Sequence, residues 1–251
     1  GTGVSTVAVN LAVALAQIWQ VEVPLVDLAL ESGQDALMLD IKTRYTLAEL
    51  SQQDPQTIEE ELLDGYLVRH ESGVRVLAAP PSPEQAGLVT PTFVSTLLPM
   101  LKPRFEYVVI DTASTFNEVT LAALDASDFI VVVLTPELAA LRAATATLDV
   151  FTSLGYPQEK QVPVLNWTFP RGGLPQKNVE AALGIPLRAV IPYERELFVE
   201  AINRGVPPVL SHPTAAASRV LIRLAYELSK EEMREQEPES PSPMWLQAQG
   251  R

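Results

Sequence analysis

Short apolar runs that end at or next to a polar residue alternate along this chain with segments of helical character, and this alternation constrains the fold more than any other feature. The clearest runs are residues 21–28, 107–111, 129–134 and 162–166. Asp27, Asp111 and Asn166 stand at or near the ends of three of them. Buried strands separated by helices pack as a parallel sheet with helices on both faces. The sequence therefore predicts a doubly wound, mainly parallel α/β fold.

The segments between these runs complete the expected organisation. Residues 7–17 suit a buried helix for which Ser5 or Thr6 would be the N-cap. Further helices are expected at residues 46–53, 57–63, 91–101, 117–126, 137–154, 176–183, 194–203 and 214–235, and further strands at 67–69, 74–78 and 187–191. From residue 237 onward Pro, Ser, Glu and Gln dominate. We therefore expect one domain over residues 1–236 and a disordered tail over residues 237–251.

Composition excludes several classes of function. The chain has no cysteine, which rules out disulfides, iron–sulfur clusters and a thiol nucleophile, and its two histidines, His70 and His212, are far apart in sequence. The net charge of −13 argues against general binding to DNA or to an anionic membrane. No apolar run approaches the roughly 20 residues of a membrane span. We expect a cytoplasmic protein, and because the chain begins with Gly1 rather than Met, we expect sequence upstream of it.

The first six residues, Gly1 to Thr6, form a glycine-rich turn that leads directly into a helix. Such a turn can bind phosphate through backbone N–H groups and the positive end of the helix. Compared with the phosphate-loop pattern GxxxxGK[ST], Gly3 matches the last glycine, Ser5 matches the hydroxyl that coordinates Mg²⁺, and Val4 occupies the lysine position. Six residues alone fit the glycine-rich start of any buried helix equally well.

Five further segments follow the motif order of one family. They are Val26-Asp27-Leu28-Ala29, residues 108–112, Val164-Leu165-Asn166, Ile191-Pro192-Tyr193-Glu194 and residues 201–207. Together with the loop they resemble the deviant Walker A family of P-loop ATPases, which includes MinD and ParA. The resemblance extends from Gly1 to about Leu228, and it implies that the first strand and a distinctive lysine of the loop lie upstream of Gly1.

The resemblance implies a site for ATP and Mg²⁺. Its nucleotide-binding residues would be Gly1, Thr2, Gly3, Val4, Ser5, Thr6, Asn166, Pro192 and Tyr193. Ser5, Asp27 and Asp111 would hold the metal. An acid at the end of a strand can also simply cap the next helix, and that alternative remains open for Asp27 and Asp111. Trp167 could stack near the base or cover the core.

Two departures from the family pattern affect the chemistry. Relatives use the second acid of Asp-x-Asp to orient the attacking water, and this chain has Ala29 there. Val4 brings no charge to the phosphates. Phosphoryl transfer depends on positioned water and on charge neutralisation. We therefore expect ATP binding with weak or absent hydrolysis, and the sequence leaves open whether the protein is an enzyme.

The nearest subgroup by resemblance is the CpaE/TadZ proteins of Flp (Tad) pilus assembly. It rests on the loop with valine in the lysine position, on residues 36–40 and 45–50, and on residues 120–128, 134–138 and 141–142. The implied role is a degenerate ATP-binding localisation or assembly factor. Its partners would be a second copy and pilus or secretion proteins, without direct DNA contact or membrane insertion, and it could lie at a pole or at the membrane through those partners. The alternatives are an active MinD/ParA-type partitioning ATPase and an interaction domain without nucleotide.

Overall fold

Seven strands make up two sheets in the computed structural model, which describes residues 1–54 and 58–250. The strands are β1 Val23–Leu28, β2 Val68–Arg69, β3 Val74–Leu77, β4 Val109–Thr112, β5 Ile130–Leu134, β6 Gln161–Asn166 and β7 Ala189–Ile191. One sheet has the order β2-β3-β1-β4 and the other β5-β6-β7. Every pairing is parallel except that of β2 with β3. The predicted α/β fold with a mainly parallel sheet is confirmed.

Helices cover both faces of the sheets. They are α1 Val4–Trp19, α2 Asp35–Met38, α3 Leu47–Leu50, α4 Glu60–Tyr66, α5 Pro91–Leu101, α6 Glu118–Ala126, α7 Leu138–Ser153, α8 Gln176–Leu183, α9 Arg195–Arg204, α10 Pro208–Ser211, α11 Ala216–Glu227, α12 Glu231–Arg234 and α13 Pro243–Ala248. Apolar side chains of α1, α11 and α13 pack on one face, and those of α5 and α6 on the other. Part of the helix predicted at residues 57–63 appears as the start of α4, and residue 57 lies outside the described residues.

Helix α1 begins earlier than predicted. Its N-cap is Gly3, and no side chain caps it, so the prediction of Ser5 or Thr6 as the cap is wrong. Gly3 has a φ of +92°, a left-handed conformation that is costly for a residue with a Cβ. Ser5 and Thr6 therefore lie inside the first turn, where their side chains are free to serve another purpose.

An edge of each sheet borders a slot between the two sheets. β4 forms an edge of the first sheet, β5 forms an edge of the second, and the two strands are not paired. Side chains of both strands line a cavity of about 720 Å³, together with Val7 and Leu11 of α1 and Leu98 of α5. The slot thus has a strand on each side and helices above and below.

The C-terminal region differs from the expectation. The helix predicted at residues 214–235 is divided into α11 and α12 at Leu228 to Lys230. The predicted disordered tail contains α13, in which Met244 and Trp245 are buried against the core. The Ser242 hydroxyl accepts a hydrogen bond from the Trp245 N–H and caps this helix. The composition of residues 237–251 predicts disorder because an average over this segment does not register the few apolar side chains that pack against α1.

Among the helices of the described ranges, none is both long enough and apolar enough to cross a bilayer.

Candidate functional site

Asp27 and Asp111 lie side by side at the carboxyl ends of adjacent strands. β1 and β4 are parallel, and their register places Asp27 directly opposite Asp111. Both side chains are buried. In open α/β sheets ligands bind at this edge, because the loops that follow the strands converge there. The structure therefore brings two of the predicted metal ligands together.

The loop that follows β1 folds back onto Asp27. One Asp27 carboxylate oxygen accepts a hydrogen bond from the Ala29 N–H at 3.1 Å, and the other accepts one from the Asp35 N–H at 3.2 Å. Gly33 passes so close that an added Cβ would lie 2.5 Å from an Asp27 oxygen. The loop fixes the orientation of this carboxylate and brings Asp35 beside it.

Burial raises the pKa of all three carboxyl groups at this edge. The pKa of Asp27 rises to about 7, first through burial and then through the charge of Asp111, although backbone N–H groups oppose the rise. Burial raises the pKa of Asp111 to about 6, against the effect of the nearby Ser5 hydroxyl. Burial and the charges of both neighbours raise the pKa of Asp35 well above its usual range. The site disfavours negative charge that no cation balances.

The loop from Gly1 to Thr6 meets the end of β6. The Asn166 side-chain amide donates a hydrogen bond to the Thr2 carbonyl at 2.9 Å, and a Cβ on Gly3 would lie 2.7 Å from the same nitrogen. Ser5, in the first turn of α1, is close enough to Asp111 to lower its pKa. The N–H groups of this first turn have no partner further back in the helix and are open to an anion.

The two departures from the family pattern have distinct surroundings. The Val4 side chain lines the slot between the sheets. Ala29 is buried, and its backbone N–H donates to Asp27. Neither residue brings a charged or hydrogen-bonding side chain to the edge where Asp27 and Asp111 meet.

The residues predicted near the base follow β6 and β7. These strands pair so that Asn166 stands opposite Ile191, and the Trp167 N–H donates to the Ile191 carbonyl. Pro192 and Tyr193 come directly after β7 and are partly buried. Their contact with adenine stays a prediction. Trp167 packs against the cluster under α7 and α8 and leaves no room for a Cβ on Gly173, which favours its role in the core.

Sequence reasoning missed Asp35. It is the first residue of α2, it is fully buried, and one of its oxygens lies within 4.8 Å of oxygens of Asp27 and Asp111. The available signal was an acid eight residues after Asp27, directly before the apolar run 36–39. Three carboxylates and a hydroxyl are hard oxygen donors of the kind that bind Mg²⁺, Mn²⁺ or Ca²⁺.

A pair of strand-end acids beside a glycine-rich turn that leads into a long helix is an arrangement that can bind a phosphate group and a divalent cation. No family model matches the chain. The septum site-determining protein MinD of Thermotoga maritima is 26% identical over an alignment of 221 residues, and the match covers 84% of this chain and 78% of that protein.

Two solved structures show the same architecture. The ParA family ATPase from Chlorobium tepidum has a TM-score of 0.83 and 23% identity, and the match covers 90% of this chain and 93% of that one. MinD from Pyrococcus horikoshii, solved with Mg-ADP, has a TM-score of 0.81 and 22% identity, with 95% of each chain covered. The fold is therefore the one that these ParA and MinD structures share.

Proposed function

We propose that this protein is an ATP-binding localisation or assembly factor of the CpaE/TadZ kind, which binds Mg-ATP and hydrolyses it slowly or not at all. The observation that carries the proposal is that Ser5 of the Gly1–Thr6 segment lies beside Asp111 and Asp27 at one edge of the sheet. The two positions that relatives fill with charged groups hold Val4 and Ala29 in this chain. This edge of the sheet has groups expected to bind Mg-ATP, and it lacks two side chains expected to promote ATP hydrolysis.

The residues present fit a magnesium ion. Ser5 offers a hydroxyl, and Asp27 and Asp111 offer carboxylates that are buried and close together. Mg²⁺ supplies charge neutralisation on the phosphates when it is bound. The residues of the chain orient the ligands of the metal and of the phosphates. Backbone N–H groups fix the Asp27 carboxylate, and the Asn166 side chain holds the loop through the Thr2 carbonyl.

Slow hydrolysis follows from the two apolar side chains. A valine cannot contribute the charge-assisted contact that a lysine makes, which amounts to about 1.5–3 kcal/mol. A methyl group at position 29 cannot hold the attacking water. ATP binding through backbone N–H groups and the metal needs neither a lysine at position 4 nor an aspartate at position 29. We therefore expect ATP binding to be retained although ATP hydrolysis is slow or absent.

Mg-ATP titration followed by calorimetry and thermal unfolding tests this proposal. Saturation at about 100 times Kd should stabilise the fold by about 2.7 kcal/mol. Ser5→Ala should weaken Mg-ATP binding about tenfold or more, whereas Ser153→Ala, on an exposed serine at the end of α7, should not change it. Absence of any shift with the unmodified protein would contradict nucleotide binding and leave a nucleotide-free interaction domain.

A second candidate is an active ATPase for spatial positioning, which the sequence similarity to MinD favours. Phosphate release by the unmodified protein distinguishes the two. Release that Asp111→Ala abolishes would support the ATPase and would show that Val4 and Ala29 matter less than argued above. Association with a second copy and with pilus or secretion proteins is part of our proposal through the CpaE/TadZ resemblance, and nucleotide-dependent dimerisation would be measured by light scattering.

A further inference from the structure

Asp35 is the least expected polar group in the protein. Its side chain is fully buried, and neither of its carboxylate oxygens has a hydrogen-bond partner within the described residues. An oxygen of Asp35 lies within 4.8 Å of one from Asp27 and one from Asp111. The family resemblance accounts for Asp27 and Asp111 but assigns nothing to Asp35.

No basic side chain offsets this negative charge. Within residues 1–54 and 58–250, no Lys, Arg or His forms an ion pair with Asp27, Asp35 or Asp111. Burying an unpaired carboxylate is costly, and burying three together adds mutual repulsion. The cluster must therefore hold either protons or a bound cation.

We propose that Asp27, Asp35 and Asp111 form a site that binds a hard divalent cation in the absence of nucleotide. Three carboxylates from separate points of the chain converge, and Ser5 beside Asp111 offers a fourth oxygen. Hard divalent cations prefer such oxygen donors. When nucleotide phosphates supply ligands, one or two carboxylates normally suffice, so a third suits a site that holds its ion alone.

A cation bound by Asp35, Asp27 and Asp111 would also affect the charge near Val4, which stands in the lysine position of the phosphate loop. Val4 leaves the phosphate loop without a side-chain cation, and a resident divalent ion would offset most of the negative charge of the three carboxylates close to Ser5. The protein would then meet nucleotide with its metal already bound. This consequence rests on the proposed function, whereas cation binding itself does not.

Calorimetric titration of the EDTA-treated, dialysed protein with MnCl₂, MgCl₂ and CaCl₂, without nucleotide, tests the site. We expect saturable binding of one ion and a rise in Tm at pH 7.5. Asp35→Asn should raise the Kd at least tenfold. The matched control Asp149→Asn, on an exposed aspartate of α7, should leave it unchanged.

Two outcomes would overturn the proposal. One is the absence of saturable binding to the unmodified protein at millimolar cation, which would mean that the cluster holds protons; this measurement needs no variant to fold. The other is unchanged cation affinity in Asp35→Asn, checked for folding by circular dichroism. Mg-ATP titration of Asp35→Asn separates the two proposals, because nucleotide binding should persist when phosphate oxygens replace the lost ligand.

Discussion

At the scale of single residues, substitutions at Val4 and Ala29 are expected to affect nucleotide binding and hydrolysis separately. Val4→Lys should tighten ATP binding more than it speeds hydrolysis, and Ala29→Asp should leave binding nearly unchanged because the water matters chiefly in the transition state. Each 1.36 kcal/mol of barrier is tenfold in rate, so the two defects together are expected to slow turnover about a thousandfold or more. The double variant should release the most phosphate.

Phosphate release with and without Mg²⁺ measures this. Faster release from Val4→Lys alone than from the double variant would contradict the assignment of water positioning to position 29.

Gly33 is a second residue whose replacement has a defined result. A Cβ there would lie 2.3 Å from the Ala79 Cβ and 2.5 Å from an Asp27 oxygen. Gly33→Ala should therefore destabilise the fold by about 1–3 kcal/mol and displace Asp27. Gly65→Ala is the control, since nothing lies within 4 Å of its added Cβ, and alanine in α4 should be neutral or slightly stabilising. Urea unfolding measures both, and equal stabilities would contradict the close approach.

Among the secondary-structure elements, α13 provides the sharpest test. Trp245→Ala should cost about 3–5 kcal/mol because Trp245 is only 3% exposed within the core cluster. Leu138→Ala, at a leucine that is 73% exposed, should change the free energy of unfolding by less than about 0.5 kcal/mol. Urea denaturation gives both values. Unchanged stability in Trp245→Ala, with rapid amide exchange over residues 243–248, would favour the disordered tail expected from composition.

Sequence patterns predict the central elements well and the peripheral ones poorly. Helix α5 has the predicted bounds, and β4 to β7 lie within one or two residues of the predicted strands, because apolar patterns in the local sequence encode them. Helices α2 and α13 were missed, since each has few residues and depends on packing partners distant in sequence. The proximity of Asp27 and Asp111 could be predicted because each lies at the end of a predicted strand. The position of Asp35 could not, because it depends on how the loop after β1 folds back onto Asp27.

At the scale of the whole molecule, net charge sets what the surface can bind. With a net charge of −13, the protein should show no salt-sensitive binding to duplex DNA at physiological ionic strength, because phosphate contacts need clustered Lys and Arg. Fluorescence anisotropy of a labelled duplex measures this between about 50 and 200 mM salt. Affinity that falls steeply over that range would contradict the prediction.

The slot between β4 and β5 is also a whole-molecule feature. It presents two strand edges to each other across a cavity of about 720 Å³, and unpaired edges attract strands. We expect that a Val- and Ile-rich strand fused before Gly1 inserts between these edges and raises the free energy of unfolding by more than about 3 kcal/mol, because two or three of its side chains become buried. The control is the same extension with prolines at alternate positions, which cannot donate to the ladder. Equal stability of both extensions would contradict strand insertion.

Val4, the first residue of α1, lines this slot, so the slot adjoins the glycine-rich turn. A strand fused before Gly1 and seated between β4 and β5 would end at this turn, while α1 anchors the turn at Gly3. The residues before α1 would then be held at both ends. Without such a strand, the start of α1 and the hydrogen bond from Asn166 to the Thr2 carbonyl position them. Nucleotide affinity should therefore depend on how the slot is filled even when every residue that would touch ATP is intact.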